Sequence, residues 1–409
     1  MRDDSSGRAG RRALLLSAAA AGVGLVLPAR AQKRYDPGAT DTEIRIGQTM
    51  PYSGPLSMLG TIGKATGAYF EKVNAEGGIN GRKLKLISLD DGYSPAKTVE
   101  GTRRLVEEDE VLLIFGNVGT ATNLAIHRYL NTRKVPQLLI LTGANRWNDP
   151  RNFPYTVSGM LSYQGEGRLY ARHMLDTVKD PKIAVLSQND DFGRDFVAGL
   201  KSQLGDRAKT LIVAEATYEV TDPTVDSQMV TLKSSGANVF FNFSNGKFTV
   251  QSLRRMGELA WTPQVYLPAS ASSIASILKP AGVERAVGAV TIANIKNPLD
   301  PQWRDDAGIK AYYEFMKRWA PALDAEDSLN VTAYSMAMLL TDVLRRCGND
   351  LTRDNVMRQF LSLKDYTTPV LLPGVAITTG PDDYEIYGAI RLQRFDGKSW
   401  VPFGQPMQR

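Results

Sequence analysis

From Ile44 onward, short apolar runs that fit strands alternate with stretches whose apolar residues recur at helical spacing. This is the pattern of α/β layers around a parallel sheet. Ile44–Gly47 predicts a strand running into the loop Pro51-Tyr52-Ser53-Gly54-Pro55. Ala65, Ala68, Tyr69, Phe70 and Val73 then share one helical face, and Gly77-Gly78 ends that helix. Leu84–Leu89 alternates as a second strand, Pro95–Glu107 predicts a helix, and Val111–Gly116 a buried third strand. Thr122–Asn131 and Gln137–Leu141 add a helix and a fourth strand. The same grammar restarts with the strand Ile183–Leu186, a turn at Asn189–Gly193 and a helix over Arg194–Leu204. Val239–Phe243 is a strand, Ser244-Asn245-Gly246 its loop, and Thr249–Leu259 the next helix; Gln264–Leu267 and Val287–Ala293 add two strands. Thr332–Arg346 is a long apolar helix, and Tyr387–Gly397 alternates up to a hairpin signal at Asp396-Gly397.

Ahead of this pattern, Arg8, Arg11 and Arg12 precede an apolar run from Ala13 to Leu27, and Pro28 is followed by Ala29-Arg30-Ala31. That order is an export signal cleaved near Ala31, of ordinary secretory or twin-arginine type, which places the mature chain in the periplasm. About 15 apolar residues fall short of the roughly 20 that span a bilayer. Removal of residues 1–31 leaves 378 of the 409, enough for two lobes. The signal carries five Arg against two Asp, so half of the formal +6 leaves with it. The remaining balance, without a long Lys/Arg block, is no nucleic-acid footprint. The single Cys347 excludes an intramolecular disulfide, and with His127 and His173 alone no His/Cys metal site is expected.

Catalytic patterns are thin. The chain has no Gly-x-Gly-x-x-Gly after a strand, no phosphate-loop motif and no Gly-x-Ser-x-Gly elbow, so neither an enzyme nor a cofactor is expected. Asp90-Asp91 and Asp190-Asp191 sit in strand-to-helix loops where acids cap helices. In doubly wound sheets ligands gather at the carboxyl ends of strands. There, Gly116-Asn117-Val118-Gly119-Thr120 opens a helix, where free N–H groups and a hydroxyl suit a carboxylate; plain N-capping by Thr120 is the alternative. Thr142-Gly143-Ala144-Asn145-Arg146-Trp147 brings small residues close, and Arg146 either clamps a carboxylate through its planar fork or is a surface ion-pair residue.

Several segments together resemble the leucine/isoleucine/valine-binding type of periplasmic solute receptor. They are Pro51–Pro55 with Gly60, Glu76-Gly77-Gly78-Ile79-Asn80-Gly81-Arg82-Lys83, Asp90-Asp91, Gly116–Thr120, Ile183–Gly193 and Pro268. The resemblance runs from about Thr42 to Gly397. It implies an α/β, type I periplasmic-binding-protein fold, with two doubly wound lobes joined by three crossovers. It further implies a monomer that traps a solute and delivers it to the membrane permease of an ABC transporter; a sensory protein on the same fold is the alternative. By resemblance one lobe comprises 42–159 plus 294–385 and the other 160–293 plus 386–409. Val118, Gly119 and Thr120 match the carboxylate-holding loop, and Ala144, Asn145 and Arg146 the second head-group loop. Phe192 matches an aromatic closing from the second lobe, Ser244 a position where the family often has Tyr, and Leu59 and Leu329 the side-chain pocket. Ser270 lies where the family places an acid against the ligand ammonium. Pro268-Ala269-Ser270-Ala271-Ser272 carries no carboxylate there, and an unpaired buried ammonium would cost several kcal/mol. The expected ligand is therefore an aromatic or aliphatic carboxylate without an α-amino group, with Phe192, Phe243 and Trp147 as apolar walls. The alternative is a true branched-chain amino-acid receptor in which Asp190, Asp191 or Glu166 meets the ammonium.

Overall fold

The computed structural model describes residues 33–408; the export-signal reading of residues 1–31 lies outside the described residues. The first sheet is built in repeated strand–helix units. In chain order these are β1 (Glu43–Met50), α1 (Gly60–Ala75), β2 (Lys83–Asp90), α2 (Pro95–Glu107), β3 (Leu113–Phe115), α3 (Thr120–Thr132), β4 (Gln137–Ile140) and β5 (Thr156–Ser158). The strands are all parallel in the order β2-β1-β3-β4-β5, with Ile44 opposite Leu84 and Ile46 opposite Leu113. Pro95 starts α2, where its fixed φ fits and its missing N–H costs nothing.

The chain then builds a second sheet. Its elements are α4 (Tyr163–Thr177), β6 (Ile183–Gln188), α5 (Asp191–Leu204), β7 (Ile212–Tyr218), α6 (Asp226–Ser234), β8 (Val239–Phe243), α7 (Lys247–Glu258), β9 (Gln264–Tyr266) and β10 (Val290–Ala293). It returns to the first sheet with α8 (Ala307–Trp319), α9 (Ser328–Cys347) and α10 (Arg353–Phe360), and finishes in the second with β11 (Ala389–Phe395) and β12 (Trp400–Gln408). The second sheet runs β12-β11-β10-β9-β8-β6-β7, parallel except for the antiparallel pairings of β11. The chain thus crosses between sheets three times, after β5, after β10 and before β11.

Both faces of the second sheet's inner parallel strands are buried. Side chains alternate across a strand, so Ala184, Leu186 and Phe240 enter one core while Val185, Phe241 and Phe243 enter the other. The first sheet's main core joins Ile44, Phe70 and Phe115 to Tyr312, Val331 and Leu340 of the returning helices. Cys347 ends α9 as a buried thiol, its Sγ donating to the Val343 carbonyl, and burial pushes it up to about 12.

Several elements differ from the sequence expectation. Phe192 and Gly193 are not in a turn, because the helix already starts at Asp191, where the Asp190 carboxylate accepts from the N–H groups of Phe192 and Gly193. The strand expected from Val287 begins only at Val290, since Gly288 takes a left-handed turn (φ 82°) and Val287 is exposed. Helices α4, α6, α8 and α10 and strands β5, β7 and β12 are not marked by the sequence pattern. β7 is an edge strand buried on one face, so its run Ile-Val-Ala-Glu-Ala-Thr-Tyr is weakly apolar.

Candidate functional site

A cavity lies between the two sheets, lined by loops at the carboxyl ends of their strands and by α9. On the first sheet's side, β3 runs into Gly116–Gly119 and then α3. Gly119 has φ 101°, and a Cβ there would sit 2.3 Å from the Tyr93 ring, so glycine alone fits this entry. Thr120 is the first residue of α3 and is 1% exposed. It does not cap the helix, and no side chain does, so the first-turn N–H groups stay available to an anion.

The Thr120 hydroxyl lies 2.7 Å from that of Thr142. Thr142 Oγ1 already accepts from the Trp147 indole N–H at 3.2 Å and from the Ala144 N–H at 3.5 Å. A hydroxyl has one proton and two acceptor sites. The Thr120 and Thr142 hydroxyls thus share one hydrogen bond, and the Tyr163 phenol lies against both. The side chain suited to a carboxylate is therefore oriented from behind by Trp147 and Thr142.

On the second sheet's side the cavity meets α4, α5 and the loop after β9. Ser162 caps α4, accepting from the Gly165 N–H at 3.3 Å. One turn on, Glu166 is fully buried yet lines the cavity. Its Oε1 accepts from the Tyr170 hydroxyl at 2.5 Å and from the Ala269 N–H at 2.7 Å. Desolvation raises this carboxyl from its ordinary value of 4.5 to about 7, against those two hydrogen bonds. Burial raises the Tyr163 phenol too; the Gly143 backbone and the Thr142 and Thr120 hydroxyls oppose that rise and Glu166 adds to it. Tyr163 thus lies between the Thr120–Thr142 pair and Glu166. Elsewhere the walls are mostly apolar, with Leu59, Ile62, Leu141, Ile292, Met336 and Trp400 among them. Among the described residues, no Lys or Arg lines the cavity, and no group of three His, Cys, Asp or Glu could hold a metal ion.

Of the residues singled out in the sequence, Leu59, Val118, Gly119, Thr120, Phe192, Ser270 and Leu329 all face this cavity. Four do not line it. Arg146 points outward, 46% exposed, and pairs with Asp191 at 2.5 Å. Asn145 is exposed, with its N–H on Asp195 at 2.7 Å. Ala144 is buried behind, against Thr142. Ser244 is fully buried and spends its hydroxyl on Asn242 and Thr249. The expected walls Phe243 and Trp147 also sit behind the surface; Phe243 stacks on Phe196 and Trp147 packs against His127. Among the three acids considered for an ammonium, Asp190 caps α5 and Asp191 pairs with Arg146 and Arg194. Only Glu166 of the three lines the cavity. The sequence signal for it was a lone acid in the first turn of an unassigned helix.

The rim holds the lobes together on both sides of the cavity. Asp327, at the start of α9, accepts from Ser273 at 2.8 Å and from Ser276, and Lys279 pairs with Glu326 at 3.2 Å. Opposite, Arg146–Asp191 and Asn145–Asp195 cross the same gap.

A model of the periplasmic binding protein family matches residues 43–399. A Leu/Ile/Val-binding protein homolog of Brucella abortus is 24% identical over 236 residues, which cover 56% of this chain and 58% of that one; the chain spans just over half the length of that curated relative. A branched chain amino acid ABC transporter protein from Thermus thermophilus with bound valine superposes with TM-score 0.79 at 16% identity, over 90% of this chain and 97% of that one. A solute binding protein of an ABC transporter from R. palustris, in complex with benzoate, gives TM-score 0.75 at 18% identity over 90% and 98%. With two sheets crossed three times around one cavity, this chain belongs to the periplasmic binding protein family, with the type I fold of its leucine/isoleucine/valine-binding branch.

Proposed function

We propose that this chain is the exported receptor of an ABC importer of the branched-chain amino-acid type. It traps a small, largely apolar solute bearing a carboxylate, an aromatic or aliphatic acid without an α-amino group, and delivers it to a membrane permease. The lobes in this reading are 42–159 plus 294–385 and 160–293 plus 386–409. The observation that carries it is Thr120: a buried hydroxyl on the cavity wall, bonded to Thr142 and beside an uncapped helix start. Apolar walls supply the remaining surface, from Leu59, Val118 and Leu329 on one side and Phe192 on the other. The R. palustris solute binding protein in complex with benzoate supports this reading. Arg146 lends the reading no support, since it lies outside the cavity.

A second reading has one observation in its favour. Glu166 reaches the Ala269 N–H from a different helix, beside the stretch where the acid was missing. A branched-chain amino acid would set its ammonium there, as the valine in the Thermus relative makes natural. A thermal-shift panel of benzoate, hexanoate, valine and leucine separates the two, because a ligand that binds only the folded chain raises its melting temperature. Stabilisation by benzoate or hexanoate is expected; stabilisation by valine or leucine alone would replace the first reading with the second.

A further inference from the structure

We propose that Glu166 is kept as a neutral carboxylic acid that presents its Oε2–H to the solute's acid head, so that capture of an anionic solute takes up a proton. This rests on the carboxylate reading above and deepens it. Three observations carry it. Both hydrogen-bond donors to Glu166, the Tyr170 hydroxyl and the Ala269 N–H, converge on Oε1. The Tyr170 hydroxyl also meets the Leu267 carbonyl at 2.8 Å, so Oε1 is the engaged oxygen; Oε2 has no protein partner among the described residues, and it is not among the buried polar atoms left without one, so it faces the cavity. No Lys or Arg among the described residues lines the cavity to hold the ionised form. The side chain as a whole is 1% exposed, so beyond the cavity little water reaches it to stabilise the charge.

The groups around Glu166 reinforce this. From its own helix it is faced by the Tyr163 and Tyr170 phenols, both raised by burial and so neutral. From β10 it meets, through Tyr170, the Thr291 hydroxyl and the Ile292 N–H, and from the loop after β9 the Ala269 N–H and, again through Tyr170, the Leu267 carbonyl. Each of these is uncharged. The proton itself is available near neutrality, since burial holds this carboxyl near 7. An incoming carboxylate set at Thr120 meets a neutral donor across Tyr163. No covalent bond forms: above pH 7 the protein begins ionised, and one proton passes from solvent to Glu166 as the anion enters. An ammonium-bearing solute demands the opposite, a charged Glu166 and proton release.

The test needs no ligand for its first arm. Infrared difference spectra of the unliganded wild-type protein between pH 6 and 9, compared with Glu166→Gln, should show a buried carboxylic C=O band at pH 6. That band should vanish by pH 9 and be absent from the variant. Asp91→Asn and Asp190→Asn serve as the controls for the other buried acids that burial raises. A Glu166 that is ionised at pH 6 overturns the proposal. In the second arm, calorimetry with benzoate in buffers of different ionisation enthalpy should register proton uptake above pH 7. Affinity should then fall about tenfold per pH unit, a slope that Glu166→Gln flattens. Proton release on benzoate binding would overturn the proposal. Failure of benzoate to bind with the carboxylic band present would count against the carboxylate reading alone, and the wild-type spectra decide the proposal even if the variant does not fold.

Discussion

The two lobes wall one cavity with opposite chemistry on the same architecture. The five-stranded side ends in neutral donors, namely the Thr120 hydroxyl and the uncapped start of α3. The seven-stranded side ends in an acid, Glu166, in the first turn of α4, whose start is capped by Ser162. Both groups stand at helix starts, yet one is a hydroxyl donor and the other a group held near its titration point. In a doubly wound fold the strands fix where a solute sits, and single residues on the following turns fix what it is.

Packing beneath the acid sets the largest expected effect. Gly199 of α5 lies so close to α4 that a Cβ would stand 2.2 Å from the Gln164 carbonyl. Gly199→Leu should force the two helices apart and cost about 3 kcal/mol or more, read by denaturant unfolding. An unchanged midpoint would show that α4 is not held against α5. Glu166→Gln should sharpen the contrast through pH. The folded carboxyl titrates near 7 and the unfolded one near 4.5, so the folded chain keeps a proton that the unfolded chain sheds between those values. Wild-type stability therefore falls as pH rises from about 4.5 to 7 and stays lowered above. The variant should gain up to about 3 kcal/mol on wild type at pH 8 and almost nothing at pH 4. A difference that does not vary with pH would remove the buried-acid description.

On the neutral side, Thr120→Ala should weaken binding of benzoate by roughly 1–3 kcal/mol, because a ligand oxygen loses its donor. Calorimetry showing full affinity would break the contrast between the lobes. Asp327→Ala removes both the cap of α9 and the acceptor for Ser273 and Ser276, and should cost about 2 kcal/mol in unfolding experiments. The opposite rim should respond least. Arg146–Asp191 is half in solvent, so Arg146→Ala should change stability by less than about 1 kcal/mol, and less still in high salt. A larger loss would mean that the exposed pair, rather than Asp327, holds the lobes closed.

The loop Gly116–Thr120 was legible as part of the cavity wall because its signals are local: a buried strand, a glycine that must turn with positive φ, and a hydroxyl at the helix start. Arg146 misled for the same reason. Its loop is adjacent in sequence, but the carboxylates that claim its loop, Asp191 and Asp195, come from the other sheet. Phe243 and Trp147 are apolar and near strand ends, yet which face of the loop they occupy depends on Phe196 and His127, remote in the chain.

The chain's own pattern of apolar runs and helical faces determined the α/β layering and most strand positions, because period and burial are written residue by residue. Only the tertiary structure decided the chemistry of the cavity's second wall. Tyr170, one turn on in the same helix, is the only local partner of this glutamate; the Ala269 N–H a hundred residues away and the burial of the pair leave no mark on its sequence neighbours.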